Sequence, residues 1–287
     1  MIEIPLYLYG SYEVPSPDDG ALFHYTKFES FLKIIETMTL RSSALCKMND
    51  LNEANLCGLD WNSDFMLMIR AEKYVKEQCS VISFTKNYMT GPICEEGSNH
   101  PALWAHYADN SNGVCIVLDK GVLLDINMQQ LSMLFYKLEP VDYNIHCAPR
   151  DEIMQRRYSD VTDFVRNNYR ELFFKKHTDW SYEGEERFLV EAPEVYLNIK
   201  GAIKYIILGG RIKNNEERLK LIIEQMITPG TMSYQYFHLH SFAEMIPTIN
   251  GYLTVDASPV FYMQLQKMAK TSSLAKDWLD WHDSNFA

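Results

Sequence analysis

Short apolar runs recur along the chain, separated by segments with helical periodicity or turn residues. Such a run between turn residues predicts a β-strand, whereas apolar residues at positions i, i+3, i+4 and i+7 predict an amphipathic helix. Strands are predicted at residues 21–25, 40–45, 79–85, 114–118, 135–143, 187–191 and 205–208, with an edge strand at 234–240. Helices are predicted at residues 28–35, 101–108, 150–176 and 211–227. Short strands with helices between them predict the α+β fold class.

Two helix starts carry the pattern of a capping box, in which a polar N-cap residue is followed three positions later by Glu. The first pairs Thr26 with Glu29, and the second pairs Asp50 with Glu53. We therefore expect Thr26 to be the N-cap of the first helix and Asp50 to begin a further one.

The sequence has no convincing linker, internal repeat or low-complexity segment. We expect an N-terminal lead segment at residues 1–19, one main domain at 20–245 and a helical C-terminal extension at 246–287. The extension contains an apolar stretch at 261–268 and an aromatic segment that includes Trp278 and Trp281. That segment either covers the core or binds a partner.

The composition is that of a globular protein with an acidic balance. Of 287 residues, 47% are hydrophobic, which allows a sizeable core, and the formal net charge is −11. This charge weighs against broad binding of phosphate backbones. The exception is a basic cluster made of Arg150, Arg156, Arg157, Arg166, Arg170, Lys175 and Lys176. It either binds a nucleic-acid strand together with Tyr158 and Tyr169, or is the solvated face of a long helix.

The cysteines and the N-terminus indicate the cellular compartment that the sequence predicts. The six cysteines lack Cys-x-x-Cys spacing and lie mostly in apolar runs, as reduced core cysteines do. The first residues have no basic segment, and no apolar run approaches the length of a membrane span. A cytoplasmic protein is expected. Zinc-site and phosphate-loop spacings are also lacking in the sequence, so no metal is expected.

Acidic residues accumulate just before the apolar run at 188–190. At strand period, Glu183, Glu185 and Arg187 share one face, while Glu186 lies on the other. One interpretation is a solvated strand edge held by an intrastrand Glu–Arg pair, which contributes about 0–1 kcal/mol. The other is a catalytic carboxylate, for which Glu185 is the candidate.

Four further residues are candidates for chemistry, and each has a structural alternative. His24 lies on the first strand and is either functional or a histidine that bonds a neighbouring carbonyl. Trp104 and Tyr107 lie one helical turn apart and are either a ligand platform or core aromatics. Ser83 either faces a cleft or bonds a neighbour in its own sheet.

The order of several motifs resembles a bacterial family, domain-of-unknown-function family 2971, over roughly residues 20 to 210. The motifs in this sequence are Leu22-Phe23-His24-Tyr25-Thr26, Leu40-Arg41-Ser42, Met48-Asn49-Asp50-Leu51-Asn52-Glu53, Ile82-Ser83-Phe84-Thr85, Leu103-Trp104-Ala105-His106-Tyr107-Ala108-Asp109-Asn110 with Gly113, and Trp180-Ser181-Tyr182-Glu183-Gly184-Glu185-Glu186-Arg187.

The strand with His24, Tyr25 and Thr26 is also similar to the first motif of ADP-ribosyltransferases of the His-Tyr-Glu type. That resemblance implies a split mixed or antiparallel sheet with flanking helices, and NAD as a substrate. It implies that His24 bonds the adenosine ribose of NAD and that Tyr107 or Trp104 stacks on the nicotinamide. Glu185 would be the catalytic carboxylate and Glu183 its accessory acid. The other expected NAD-binding residues are Tyr25, Thr26, Arg41, Ser42, Ser83 and Arg187, with Arg41 and Ser42 at the pyrophosphate, and Arg187 either orienting Glu185 or meeting phosphate.

The resemblance predicts an NAD-dependent ADP-ribosyltransferase, as a bacterial toxin or phage-defence effector that modifies RNA, DNA or protein. An antitoxin protein would then be a partner. One alternative is an NAD glycohydrolase that transfers ADP-ribose to water and depletes NAD. Another is a non-catalytic binding or regulatory module on the same fold.

Overall fold

A computed structural model of the chain describes residues 20–47, 65–90, 93–143, 158–234, 237, 239–248 and 251–286. The strands are β1 Ala21–Thr26, β2 Thr39–Arg41, β3 Ser43–Ala44, β4 Ser80–Thr85, β5 Tyr88–Thr90, β6 Ile93–Glu95, β7 Val114–Asp119, β8 Tyr136–Pro140, β9 Glu185–Val190, β10 Tyr196–Asn198, β11 Ile203–Leu208, β12 Phe242–Thr248 and β13 Gly251–Asp256. The α-helices are α1 Phe28–Thr37, α2 Phe65–Gln78, α3 Pro101–His106, α4 Lys120–Leu131, α5 Val161–Asn167, α6 Tyr169–Phe173, α7 Glu216–Ile227, α8 Ser258–Ala269 and α9 Ser273–Phe286.

The fold class is α+β, as the alternation of short strands and helices predicts. The sheet structure is open, mixed and mostly antiparallel, with flanking helices. The chain divides into two compact units. Unit 1 comprises Met1–Thr39, Lys86–Leu123 and Asn198–Ala287, and unit 2 comprises Leu40–Thr85 and Leu124–Leu197.

Unit 1 contains strands in the order β13, β12, β11, β7 and β1. The β11–β12 pair is parallel and the other pairs are antiparallel. Residues of β1 alternate between two faces, because successive strand side chains point in opposite directions. Phe23 packs in a buried cluster with Trp104 and Val117, and Tyr25 packs against that cluster. His24 therefore lies on the opposite face of β1 from Tyr25.

The first helix has the predicted apolar face but a different start. Phe28, Phe31 and Ile35 are buried, as their spacing predicts. The predicted capping box is wrong, because Lys27 is the N-cap residue and makes no side-chain capping bond. Thr26 is instead the last residue of β1.

A close approach of the backbone follows β1 in unit 1. A Cβ atom on Gly113 would lie 2.3 Å from the carbonyl oxygen of Thr26 and 2.8 Å from the Cα atom of Ala108. Glycine is therefore required where the turn after α3 passes the end of β1.

Unit 2 contains an antiparallel group of strands with β9 between β4 and β8. Every residue of β9 is buried. Ser83 faces Arg187 and Thr85 faces Glu185 in the β4–β9 register. Behind this group, α2 and α5 supply buried apolar residues to one cluster: Ala71, Val75, Phe164 and Val165. A strand paired on both sides holds its side chains firmly, so β9 is a rigid support for Glu185 and Arg187.

The predicted long helix at 150–176 is wrong in its described part. The chain forms two short helices, α5 and α6, and residues 150–157 lie outside the described residues. Asn168 separates the two helices with a non-helical φ of −115° and ψ of 17°. Its side-chain Nδ2 donates to the carbonyl of Phe164 at 2.7 Å. An Asn side chain that bonds the backbone in this way ends a helix.

Two predicted strands are also corrected. The run at 40–45 is two short strands, β2 and β3, interrupted at Ser42. The predicted edge strand at 234–240 is not a strand in its described residues, and the N–H of Phe237 donates to the carbonyl of Ser233 at 3.1 Å. A 3-10 helix, Leu239–Ser241, follows. The predicted helix start at Asp50 and Glu53 lies outside the described residues.

The C-terminal part is helical only from Ser258, and not from residue 246 as expected. Residue 246 lies within β12, which pairs with β11 and with β13. Pro247 of β12 cannot donate to a sheet ladder, because proline has no main-chain N–H. It lies beyond the segment of β12 that pairs with β11. Trp278 is buried in α9 and stacks on His282, with ring centroids 5.1 Å apart, while Trp281 is exposed.

Candidate functional site

Glu183 and Glu185 lie on either side of a tight reversal of the chain in unit 2. A 3-10 helix, Thr178–Glu183, ends at Gly184, whose φ of 51° and ψ of 40° are left-handed. Glycine adopts this conformation without a Cβ penalty. Strand β9 begins at the next residue, Glu185. The predicted strand period is therefore wrong for Glu183, which belongs to the 3-10 helix, and right from Glu185 onward.

The Glu185 carboxylate accepts bonds from three side chains. Arg187 donates from Nε to Oε1 at 2.7 Å and from Nη2 to Oε2 at 2.8 Å. Ser83 donates from Oγ to Oε1 at 2.7 Å. The Nζ atom of Lys176 lies 2.7 Å from Oε2. A carboxylate offers about four lone-pair directions, so these four contacts use the accepting capacity of Glu185.

Burial and charge act in opposite directions on Glu185, which is 3% exposed. Burial alone would raise the pKa of Glu185. The charge and hydrogen bonds of Arg187, followed by those of Lys176, outweigh burial and lower that pKa from 4.5 to about 2. The carboxylate is therefore ionised at neutral and mildly acidic pH. Its main-chain N–H donates to the hydroxyl of Tyr143 at 2.9 Å, and burial raises the pKa of that hydroxyl.

The intrastrand Glu–Arg pair that the structural alternative predicts is present. Its setting differs from that prediction, because β9 is a central strand of unit 2 and Arg187 is 1% exposed. Arg187 also donates from Nη1 to the carbonyl of Phe173. Its bonds to Glu185 are those that the first of its two predicted roles, orienting Glu185, requires. Ser83 bonds its sheet neighbour, which is the outcome that its structural alternative predicts.

Lys176 is a member of this cluster that the sequence did not indicate. Its Nζ atom lies 2.7 Å from Oε2 of Glu183 and 2.7 Å from Oε2 of Glu185. The ring of Trp180 lies beside the same ammonium, with its centroid 5.8 Å from Nζ. In the sequence, Lys176 and Lys175 are both members of the basic cluster between residues 150 and 176. The structure distinguishes them, because Lys176 is 9% exposed and contacts Glu183 and Glu185, whereas Lys175 pairs with Glu171.

We define the glutamate cluster as Ser83, Lys176, Glu183, Glu185 and Arg187. Two carboxylates and two cations balance in charge within it. All its members belong to unit 2. The cluster therefore presents a Glu-x-Glu pair in which Glu185 is ionised and both carboxylates contact Lys176.

Arg41 and Ser42, expected at the NAD pyrophosphate, have different surroundings. Arg41 is exposed and lies 3.5 Å from a carboxylate oxygen of Glu194. Ser42 is buried, and its Oγ accepts the N–H of Val195 at 2.7 Å. The same Oγ lies 2.7 Å from the Oγ of Ser80. Ser42 therefore ties the break between β2 and β3 to residue 195.

Ser42→Ala is expected to lower the free energy of unfolding by about 1–3 kcal/mol, because the buried N–H of Val195 loses its acceptor. Chemical denaturation measures the change. Ser43→Ala, at the neighbouring half-buried position, is the control and is expected to change stability by less than about 0.5 kcal/mol. Equal stability of Ser42→Ala and the wild type would contradict this structural role.

The basic cluster is paired with carboxylates wherever it is described. The pairs are Arg166 with Glu191, Arg170 with Glu139, Lys175 with Glu171, and Lys176 with Glu183 and Glu185. Tyr158 and Tyr169 pack against the buried cluster of unit 2. These pairs offset the positive charge of the described members. A nucleic-acid acceptor stays a prediction, as does a protein acceptor.

The motif of His24, Tyr25 and Thr26 lies in unit 1, at the end of β1. His24 is half-buried and faces Ile116 of β7. Tyr25 donates its hydroxyl to the carbonyl of Gly97 at 2.7 Å, and burial raises its pKa. Thr26 is buried. The expected NAD contacts of these three residues stay predictions.

Trp104 is a core residue of unit 1, which is its structural alternative. It is 1% exposed, and its Nε1 donates to the carbonyl of Ser98 at 2.7 Å. Its ring meets that of Tyr25 edge to face, with centroids 5.1 Å apart. Trp104 thus packs on the face of β1 opposite His24. Tyr107 is half-buried and ends α3 as its C-cap residue, so it is the better placed aromatic for a ligand.

Within residues 20–47, 65–90, 93–143 and the later described segments, no three His, Cys, Asp or Glu residues form a group suited to a metal ion. In the same part of the chain, no helix is both long and apolar enough to cross a membrane.

The fold and the cluster define an α+β protein with a buried Glu-x-Glu pair. Residues 103–188 match the model of the family described as protein of unknown function (DUF2971), which confirms the family that the ordered motifs predict. The matched region includes Trp104, Tyr107, Glu183 and Glu185, and it is shorter than the expected span of 20 to 210. No curated protein and no solved structure matches the chain.

Proposed function

We propose that this chain is an NAD-dependent ADP-ribosyltransferase that modifies a macromolecule, either a nucleic acid or a protein. The observation that carries the proposal is the Glu185 carboxylate, held ionised and oriented by Arg187 and Lys176 at the start of a rigid strand. NAD is the substrate, and the mechanism requires no metal. A role as a toxin or phage-defence effector, with an antitoxin partner, belongs to the same proposal and rests on the resemblance.

The proposed chemistry needs a fixed negative charge. Cleavage of the bond between nicotinamide and ribose develops positive charge on the ribose, and a preoriented carboxylate stabilises it where it forms. A carboxylate with a pKa of about 2 keeps its charge throughout the physiological range. Because Arg187 and Lys176 are already bound to Glu185, little reorganisation is needed when the ribose charge develops.

Ser83 occupies the position on the Glu185 carboxylate that we propose for the substrate. Among the described side chains that bond the carboxylate, Ser83 is the neutral donor, and it is half-buried. The 2′-hydroxyl of the ribose is also a neutral donor. We propose that it replaces the Ser83 hydroxyl on Oε1, so that the two cations keep their bonds to Glu185.

The other roles come from the resemblance. The resemblance implies that His24 binds the adenosine ribose and that Tyr107 or Trp104 stacks on the nicotinamide. The remaining residues that it implies contact NAD are Tyr25, Thr26, Arg41 and Ser42. Tyr107 is preferred over Trp104, because a fully buried ring offers no face to a ligand. Glu183 is proposed as the accessory acid beside Glu185.

A non-catalytic binding or regulatory module is the second candidate, and one observation favours it. The four donors on Glu185 already use its accepting capacity, as expected of a carboxylate that serves only the fold. In this case the glutamate cluster would connect β4, β9 and the 3-10 helix without taking part in a reaction.

Incubation of the chain with NAD labelled in its ADP-ribose part distinguishes the candidates. The proposed transferase releases nicotinamide and transfers the label to RNA, DNA or protein supplied as the acceptor. Release of nicotinamide with the label found only in free ADP-ribose would indicate the glycohydrolase. NAD that stays intact in the presence of all three acceptor classes would contradict both enzymatic candidates and favour the module.

A further inference from the structure

We infer that Lys176 is the positioning residue of the glutamate cluster, the group that holds Glu183 and Glu185 side by side for the reaction. This inference rests on the proposed function and deepens it. The sequence places Lys176 in the basic cluster, which is expected either to bind a nucleic-acid strand or to be the solvated face of a long helix. Its contacts instead direct the ammonium inward, to the two acidic residues that the proposal uses.

The geometry of Lys176 is that of a bridge. One ammonium contacts Oε2 of Glu183 and Oε2 of Glu185, both at 2.7 Å, and the lysine side chain is 6% exposed. Because both Oε2 atoms contact the same Nζ atom, Lys176 keeps the carboxylates of Glu183 and Glu185 close together. The main-chain N–H of Lys176 donates to the carbonyl of Asp142 at 3.0 Å, which fixes the backbone from which the side chain extends.

A cation is required between these carboxylates for an electrostatic reason. Two like charges that share a buried space raise the pKa of one of them, and an opposite charge nearby lowers it. The titratable and charged groups around Glu185 are Arg187 on its own strand, Glu183 and Lys176 on the preceding segment, and Tyr143 at its main-chain N–H. Without Lys176, Glu183 would repel Glu185 directly, so the carboxylate would protonate more easily and move.

The test compares Lys176→Met and Lys176→Arg with Lys175→Met. Lys175→Met is the matched control, because it removes the adjacent lysine, whose partner is Glu171. The readouts are nicotinamide release from NAD as a function of pH and NMR titration of the 13C-labelled carboxyl group of Glu185. Lys176→Met is expected to move the acid limb of the pH–rate profile and the Glu185 titration upward by about one pH unit or more.

Lys176→Arg keeps the charge but replaces a compact ammonium by a planar fork. We expect it to leave the acid limb near the wild-type position and to lower kcat at least several-fold with KM little changed. Lys175→Met should match the wild type in every readout. An acid limb at the wild-type position in Lys176→Met would overturn the inference. If Lys176→Met fails to fold, a wild-type kcat in Lys176→Arg would overturn it instead.

Failure of the proposed function would be recognised separately. If the wild-type chain leaves NAD intact, the transferase proposal fails, and the Glu185 titration alone decides whether Lys176 holds the carboxylates. An unchanged titration in Lys176→Met, or in Lys176→Gln as a second uncharged variant, would then overturn the bridge itself.

Discussion

Arg187→Met is expected to lower the free energy of unfolding by about 3–5 kcal/mol, because it leaves a buried charge without its main partner. Arg187 provides two of the four contacts on the Glu185 carboxylate and also bonds the carbonyl of Phe173. Methionine fills part of the space but donates no hydrogen bond. The loss is large because water cannot easily replace the guanidinium at a position that is 1% exposed.

Urea unfolding at pH 7 measures this change, with Arg41→Met as the control. Arg41 also pairs with a glutamate, but the pair is exposed and is expected to contribute only about 0–1 kcal/mol. Equal losses in the two variants would contradict the buried pair as the stabilising element.

The free energy of unfolding is also expected to depend on pH through the Glu185–Arg187 pair. The folded-state pKa of Glu185, about 2, lies below its ordinary value of 4.5. Such a group stabilises the fold fully above about pH 4.5, and its contribution is lost as the pH falls towards 2. The difference between the wild type and Arg187→Met should therefore narrow over that window.

Local patterns in the sequence predict the elements whose burial is decided locally. The spacing of Phe28, Phe31 and Ile35 predicts α1, and the apolar runs predict β1, β4 and β7. The breaks in the chain were harder to predict. The helix predicted at 150–176 ends where the side chain of Asn168 bonds the backbone, and helical periodicity does not reveal such a bond.

Part of the glutamate cluster is predictable from the sequence. The period of two predicts that Glu185 and Arg187 share a face, and they bond each other. Burial of the pair could not be predicted, because it depends on pairing with both β4 and β8. Ser83 lies 102 residues from Glu185 in the sequence and reaches it only through the β4–β9 register. The position of Glu183 depends on the left-handed backbone at Gly184.

Glu185→Gln is expected to lower the rate of nicotinamide release by at least about 100-fold. The amide has nearly the shape of the carboxylate but carries no charge to stabilise the developing positive charge on the ribose. The variant is also expected to lose about 3 kcal/mol of stability, because an amide NH2 then faces the donors of Arg187 or Lys176. Loss of activity alone would therefore not separate chemistry from folding.

Leu189→Ala supplies the matched control for this loss of stability. Leu189 lies on β9, is 1% exposed and packs in the buried cluster of unit 2. Its truncation is expected to cost about 2–5 kcal/mol, similar to Glu185→Gln, without touching the carboxylate.

The most direct measurement compares nicotinamide release by the wild type, Glu185→Gln and Leu189→Ala at a temperature at which all three are folded. The proposed function predicts that Leu189→Ala stays within about threefold of the wild-type rate, while Glu185→Gln loses at least about 100-fold. Wild-type turnover in Glu185→Gln would contradict the central claim and leave the buried carboxylate with a structural role alone.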